Sequence, residues 1–191
     1  MVRRAETTAL NRRRIELALI GLLAIKPFSA ITIGHIAAAA AVSVRTIQRH
    51  YASKDNILAA CVSFPARALA EELSARPPAS SLREALRSLV AALFSFYEAN
   101  TEQSWAVYSR AQDVPVLDDL RRAAVRSRES LIGGLLERWP DDWATDQRTA
   151  RAALQGLTAF GTWQALTDGG RFKPKAATKF VVSVLERTLL K

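Results

Sequence analysis

Residue types that form cross-links and metal sites are scarce in this chain of 191 residues, which has one cysteine and two histidines. Cys61 alone cannot form an intrachain disulfide, and His35 and His50 do not have the spacing of a metal site. The sequence also lacks paired carboxylates, a nucleophile with a nearby base, and a glycine-rich phosphate loop. We therefore expect no enzyme, no metal and no cofactor, and a reducing cytoplasmic location.

Turn-forming and aromatic residues are also few, with 8 glycines, 7 prolines and 7% aromatics against a hydrophobic share of 49%. This composition predicts an all-α protein and excludes a disordered one. The basic start followed by an apolar segment imitates a secretion signal, but Glu16 interrupts that segment. No run approaches the roughly 18 apolar residues of a membrane span, so we expect no membrane partner.

Acidic residues are nearly missing from the N-terminal quarter. Residues 1–54 hold nine Lys and Arg against two Glu, whereas the rest of the chain is close to balanced, with 18 basic and 16 acidic residues. A local excess of positive charge predicts a polyanionic partner for that quarter. A solvated basic face without any partner is the alternative interpretation.

The pattern of stops and caps in this quarter predicts three short helices. The first runs from about Asn11 to Ile25 and is ended by Lys26-Pro27. Thr32 is a good N-cap for a second helix, IGHIAAAA, and Ser43 for a third, in which its hydroxyl accepts from the backbone of Thr46. The tight turn between the last two indicates a helix-turn-helix.

Helical spacing divides the third helix into two faces. Ile47 and Tyr51 fall together and face the core, whereas Arg45 and Arg49 fall on the opposite side. This outward face carries hydrogen-bond donors suited to phosphates and base edges. A fourth helix begins after Ser53, and we expect Pro65 to kink it or end it early.

Five further helices follow the break ARPPASS. Their approximate limits, set by proline, glycine and polar pairs, are Leu82–Ala99, Gln103–Gln112, Pro115–Trp139, Thr145–Leu166 and Pro174–Leu190.

The first 60 residues resemble the DNA-binding domain of the TetR family of one-component transcriptional regulators. The segments that carry this resemblance occur in register over about 45 positions: RRRIELALIGLLA, TIGHIAAAA, VSVRTIQRHY and ASKDNIL. Two positions depart from the family pattern. Ala41 stands where the turn usually has glycine, and Gln48 where a tyrosine commonly reaches a phosphate; glutamine can instead read an adenine edge.

The resemblance implies a DNA-contact surface on the second to fourth helices. It places Val44, Arg45 and Gln48 nearest the bases, with the other contacts mainly to the backbone. The complete predicted set is Thr32, Ser43, Val44, Arg45, Thr46, Gln48, Arg49, His50 and Lys54. Alternatives stay open: His50 packs between helices, and the two arginines belong to a solvated face. The arginines at positions 3, 4, 12, 13 and 14 form either a flexible minor-groove arm or a solubilising tail.

The resemblance also divides the chain into a helix-turn-helix domain, residues 1–54, and a helical effector-binding and dimerisation domain, residues 55–191. Small residues in LQGLTAFGTWQALTD and the apolar stretch FVVSVLERTLL suit a homodimer through the last two helices. The alternative is that both helices bury these faces within one subunit. Candidate ligand residues, each of which can equally be plain core, are Phe94, Tyr97, Trp105, Tyr108, Gln112 and Trp163.

The predicted function is a sequence-specific DNA-binding transcriptional regulator. In this hypothesis a homodimeric repressor binds a palindromic double-stranded operator and is released by a small, largely apolar or aromatic effector. The alternative is a helical protein-interaction module whose helix-turn-helix is structural only.

Overall fold

The computed structural model describes residues 2–191, with side chains described from Thr7 onward. This part of the chain forms ten α-helices and no strand, which confirms the all-α prediction. The helices are α1 Val2–Leu23, α2 Ile33–Ala40, α3 Val44–His50, α4 Lys54–Ser74, α5 Leu82–Ala99, α6 Thr101–Arg110, α7 Pro115–Arg138, α8 Gln147–Leu157, α9 Phe160–Thr167 and α10 Pro174–Leu189. None of the described helices is long and apolar enough to cross a membrane.

Two compact units divide the chain. The first comprises Met1–Pro65 with Glu102–Ala124, and the second comprises Ala66–Thr101 with Val125–Lys191. These units do not coincide with the predicted division after residue 54. The start of α4 belongs to the first unit because Ile57 and Cys61 are buried in its core.

The core of the first unit is built on one stripe of α1. Ile15, Leu19 and Leu23 are buried there, together with apolar residues from α2, α3 and the start of α4. Val107 of α6 and Leu117 of α7 complete the same cluster. Burial of whole aliphatic side chains, at about 1.5–3 kcal/mol each, holds the short helices α2 and α3 in place, since helices of this length are marginal alone.

The second unit is organised around α5. Its residues Leu86, Val90 and Leu93 are buried, and its closest partner within the unit is α10. Glu186 of α10 accepts ion pairs from Arg83 at 3.1 Å and Arg87 at 2.6 Å on α5. Exposed pairs contribute little individually, so apolar burial is the main force between these helices.

The prediction of a single helix over residues 145–166 is wrong, because Thr158 and Ala159 separate α8 from α9. Ala159 is extended, with φ −69° and ψ 152°. The Thr158 hydroxyl donates to Leu154 O at 2.6 Å, and its carbonyl accepts from the Tyr97 hydroxyl at 3.1 Å. A tertiary hydrogen bond thus replaces a helical one at the break.

Two other helix limits differ from the predictions. α4 continues through Pro65 to Ser74, so the predicted early end is wrong, whereas a kink at Pro65 stays a prediction. α1 begins at Val2 and not near Asn11. Arg12, Arg13 and Arg14 therefore lie inside a helix, and the flexible-arm interpretation is wrong for these three.

Candidate DNA-binding surface

The start of α3 is held by the predicted serine cap. The Ser43 hydroxyl accepts from Thr46 N at 3.0 Å and is 2.9 Å from the Thr46 hydroxyl. Val42 and Ile47 both pack in the core of the first unit, as expected for a hydrophobic staple. Cap and staple together set the angle at which α3 leaves the turn.

The outward face of α3 carries the predicted base-reading residues. Val44 is 42% exposed, and Arg45, Gln48 and Arg49 are also exposed. Neither arginine has a carboxylate partner among the described residues, and the sequence has no acidic residue between Glu16 and Asp55. This face is therefore positively charged, and no described residue accepts a hydrogen bond from either guanidinium.

The inward face of α3 is tied to α1 by a buried hydrogen bond. The Tyr51 hydroxyl donates to Glu16 Oε1 at 2.5 Å, and both residues are buried. Burial, followed by the hydrogen bond and negative charge of Glu16, raises the pKa of Tyr51 above its ordinary value. Arg12 of α1 lies over the Tyr51 ring, 5.5 Å from its centroid. These contacts fix the roll of the short helix.

The turn before α3 contains the only non-glycine residue of positive φ among those described. Ala41 adopts φ 51° and ψ 48°, in the left-handed region. Its backbone N–H donates to the carbonyls of Ala37 and Ala38, which ends α2. An alanine in this left-handed conformation is strained, whereas glycine adopts it without a steric penalty.

His50 lies at the end of α3 with its ring partly buried. Its Nε2 is buried and has no hydrogen-bond partner among the described residues. Partial burial and the nearby cations Arg49 and Arg12 lower the pKa of His50. The ring is therefore neutral at pH 7 and adds no charge to the surface; its contact with the DNA backbone stays a prediction.

Lys54 and Thr32 lie at the other edge of the surface and form hydrogen bonds within the chain. Lys54 Nζ donates to Phe28 O at 2.7 Å and Ile31 O at 2.9 Å, and lies 4.2 Å from the Phe28 ring centroid. Thr32 caps α2 reciprocally with His35. Both residues hold the segment before α2, and their predicted phosphate contacts remain untested.

The basic residues of α1 extend the positive charge beyond α3. Arg12, Arg13 and Arg14 are exposed on α1, and Arg13 lies 5.9 Å from the centroid of the Phe64 ring. The side chains of Arg3 and Arg4 lie outside the described residues.

The predicted ligand residues fall into both units. Phe94, Tyr97 and Trp163 are buried in the second unit, where Tyr97 is 6.3 Å from Phe94 and 6.1 Å from Trp163 between ring centroids. The first unit contains the other three: Trp105 is 51% exposed, Tyr108 packs against the core cluster, and Gln112 is exposed. Their role as ligand contacts stays a prediction.

Sequence reasoning missed the partner of Tyr51 and the clamp made by Lys54. Glu16 directly follows Ile15 on the buried side of α1, and a carboxylate there needs a donor. That signal was available, but the choice of Tyr51 depends on the tertiary fold. The carbonyls that bind Lys54 lie 23 and 26 residues away, and no local pattern indicates them.

Comparison with known proteins finds a family model that matches part of the first unit. Residues 18–61 match the family model of bacterial regulatory proteins of the tetR family. No curated protein matches the chain in sequence.

Solved structures of similar fold cover nearly the whole chain. The chain is similar to native NalD, the secondary repressor of the MexAB-OprM multidrug efflux pump in Pseudomonas aeruginosa, with 22% identity, TM-score 0.61, and 96% of this chain and 98% of that one covered. The SmeT–triclosan complex gives 16% identity and TM-score 0.66 over 95% of this chain and 92% of that one. A tetR-family regulatory protein from Rhodococcus RHA1 gives 20% identity and TM-score 0.56 over 93% and 95%.

These matches confirm the resemblance inferred from the residues. The N-terminal helix-turn-helix matches the model of the bacterial tetR family over residues 18–61, and the chain as a whole has the same fold as solved transcriptional regulators of that family.

Proposed function

We propose that this chain is a cytoplasmic, non-enzymatic repressor that binds a palindromic operator as a homodimer and is released by a small molecule. The observation that carries the proposal is the outward face of α3, where Arg45 and Arg49 are exposed and have no carboxylate partner within the described part of the chain. Free guanidiniums on a capped helix suit base edges and phosphates. The similar protein NalD is a repressor, which favours repression over activation.

The homodimer is supported by small exposed residues in the C-terminal helices. Ala152 and Gly156 on α8, and Gly161 and Ala165 on α9, are exposed. A Cβ added at either glycine would meet no atom within 4 Å, so packing within the chain does not require glycine there. A second subunit approaching closely would require it.

Part of the apolar face of α10 is buried within its own subunit, which is the alternative to a dimer interface at that face. Val181, Leu185 and Leu189 are buried within their own subunit. Phe180 is 45% exposed and stacks on Phe172, with 5.5 Å between the ring centroids. We therefore propose that Phe180, and not the buried residues, belongs to the dimer surface. A dimer supplies two recognition helices for successive half-sites.

Release by an effector requires a ligand that binds better to the form that does not fit the operator. SmeT was solved with triclosan, which supports a small-molecule effector here.

Fluorescence anisotropy with a palindromic duplex from the DNA beside the gene tests DNA binding. We expect Arg45→Ala and Arg49→Ala each to weaken binding by about 1–3 kcal/mol, or roughly fivefold to 150-fold. The matched control is Arg126→Ala, since Arg126 is exposed on α7 and is not among the residues of the proposed dimer surface. Unchanged affinity in both α3 variants would favour the interaction-module hypothesis.

A further inference from the structure

A groove in the second unit combines apolar walls with two arginines. It is formed by the end of α4, the following segment Arg76–Ala79, the start of α5 and the end of α7, and its volume is about 390 Å³. None of the six predicted ligand residues lines it. Its size falls within the roughly 300–1,000 Å³ of small-molecule sites.

The chemistry of this groove is that of an amphipathic anion site. Leu89, Leu135 and Trp139 are among its apolar lining, Arg76 and Arg138 are its cations, and no acidic residue is among the described residues that line it. Arginines beside a hydrophobic wall favour a ligand with one anionic end and an apolar body.

Arg138 is positioned across from the α4–α5 segment. Its guanidinium carbon lies 4.6 Å from the Trp139 ring centroid, and Nη2 donates to Ala79 O at 3.4 Å. Stacking on indole keeps the planar donor fork extended. A long, weak hydrogen bond to one carbonyl leaves most of its donors available to a carboxylate.

Arg76 supplies the second positive charge and is only partly neutralised. Its Nη2 pairs with Glu72 at 3.2 Å, while its Nε has no hydrogen-bond partner among the described residues. The guanidinium therefore has fewer acceptors than donors.

Gly134 gives the groove its depth. It lines the groove from inside α7, and a Cβ added there would meet no atom within 4 Å. Glycine within a helix costs about 1 kcal/mol relative to alanine, and packing in this chain does not explain it. A ligand lying against the bare backbone would.

We infer that this groove binds a small organic acid, with its carboxylate between Arg76 and Arg138 and its apolar body along Trp139 and the leucines. The regulatory role of the site rests on the proposed function, in which the acid is the effector. Binding itself does not depend on that function and is measured without DNA.

Calorimetric titration of the full chain with octanoate, and in parallel with octanol, tests the binding. We expect saturable octanoate binding, and binding of the neutral alcohol about tenfold weaker or more, since a charge-assisted hydrogen bond is lost. Equal affinity for acid and alcohol, or no saturable binding of the acid, would overturn the proposal.

Two variants locate the site. Gly134→Leu places a side chain in the groove at a position where an added Cβ meets no other part of the chain within 4 Å, and thermal unfolding should show a fold at least as stable as wild type. We expect it to remove octanoate binding, and Arg138→Gln to weaken it about tenfold or more. Arg126→Gln, an exposed arginine of the same helix outside the groove, is the control. Wild-type affinity in Gly134→Leu would refute the location.

Operator binding with and without octanoate separates the two proposals. Release of wild-type protein, but not of Gly134→Leu, supports the groove as the effector site. Octanoate binding that leaves DNA affinity unchanged supports the groove and overturns its regulatory role. Absence of operator binding from the start contradicts the proposed function while the calorimetric result for the groove stands.

Discussion

Ala41 has the turn conformation that glycine usually adopts, with φ 51°. A non-glycine residue in this region costs about 1–2 kcal/mol, partly offset because glycine loses more entropy on folding. We expect Ala41→Gly to raise the free energy of unfolding by about 0.5–1 kcal/mol, measured by urea denaturation. Ala38→Gly, on the exposed face of α2, should lower it by about 1 kcal/mol. Equal destabilisation by both changes would show that the turn of Ala41 is unstrained.

Tyr51 makes the free energy of unfolding depend on pH in the alkaline range. Its pKa is raised in the folded chain by burial and by Glu16, whereas an unfolded tyrosine ionises near about pH 10. A raised pKa means that its contribution is fully present below about pH 10 and is lost as pH rises toward the folded value. We therefore expect the free energy of unfolding to fall as the pH rises above about 10.

Tyr51→Phe tests this linkage. At pH 7 the variant should lose about 1–3 kcal/mol, because the buried Glu16 loses the hydrogen bond from the Tyr51 hydroxyl. Its unfolding free energy should then decline less with alkaline pH than that of wild type. Tyr108→Phe, which leaves the Tyr51–Glu16 pair intact, should keep the wild-type decline. A Tyr51→Phe variant with the wild-type pH profile would contradict the assignment.

At the scale of elements, Lys54 joins the 3₁₀ turn Phe28–Ala30, the segment before α2 and the start of α4. Hydrogen bonds from a charged donor contribute about 1.5–3 kcal/mol. We expect Lys54→Met to lower the free energy of unfolding by about that amount. Lys175→Met, at an exposed site on α10, should change it by less than about 0.5 kcal/mol. Equally small effects of both changes would show that the hydrogen bonds of Lys54 do not stabilise the fold, which would leave DNA contact as its only predicted role.

Capping residues and other local sequence signals predicted the helix limits that depend on neighbouring residues. The Ser43 cap, the Thr32 cap and the limits Leu82–Ala99 of α5 are confirmed. The break at Thr158 was missed because the Thr158 carbonyl accepts a hydrogen bond from the Tyr97 hydroxyl, which is 61 residues away in the sequence. The groove residues Arg138 and Trp139 were missed for the same reason, since only the fold brings α7 beside the segment Arg76–Ala79.

At the scale of the whole molecule, specific DNA binding depends on two copies of α3. One recognition helix makes too few contacts for high specificity, and a two-fold dimer matches symmetric half-sites. The exposed glycines of α8 and α9 therefore link the C-terminal surface to operator affinity in the proposed homodimer.

Replacing these glycines with leucine separates dimerisation from folding. Gly156→Leu and Gly161→Leu add side chains to open space within the subunit, so each monomer should fold at least as stably as wild type. At the proposed interface the same side chains would hold two backbones apart, and we expect the dimer dissociation constant to rise by about two orders of magnitude, measured by analytical ultracentrifugation. Gly134→Leu is the matched control, because Gly134 is also an exposed helical glycine but lies outside the proposed interface. Operator affinity should fall in parallel with dimerisation. A dimer that persists in both variants would place the interface elsewhere, and a drop in operator affinity without dissociation would mean that the two surfaces are not linked through the dimer.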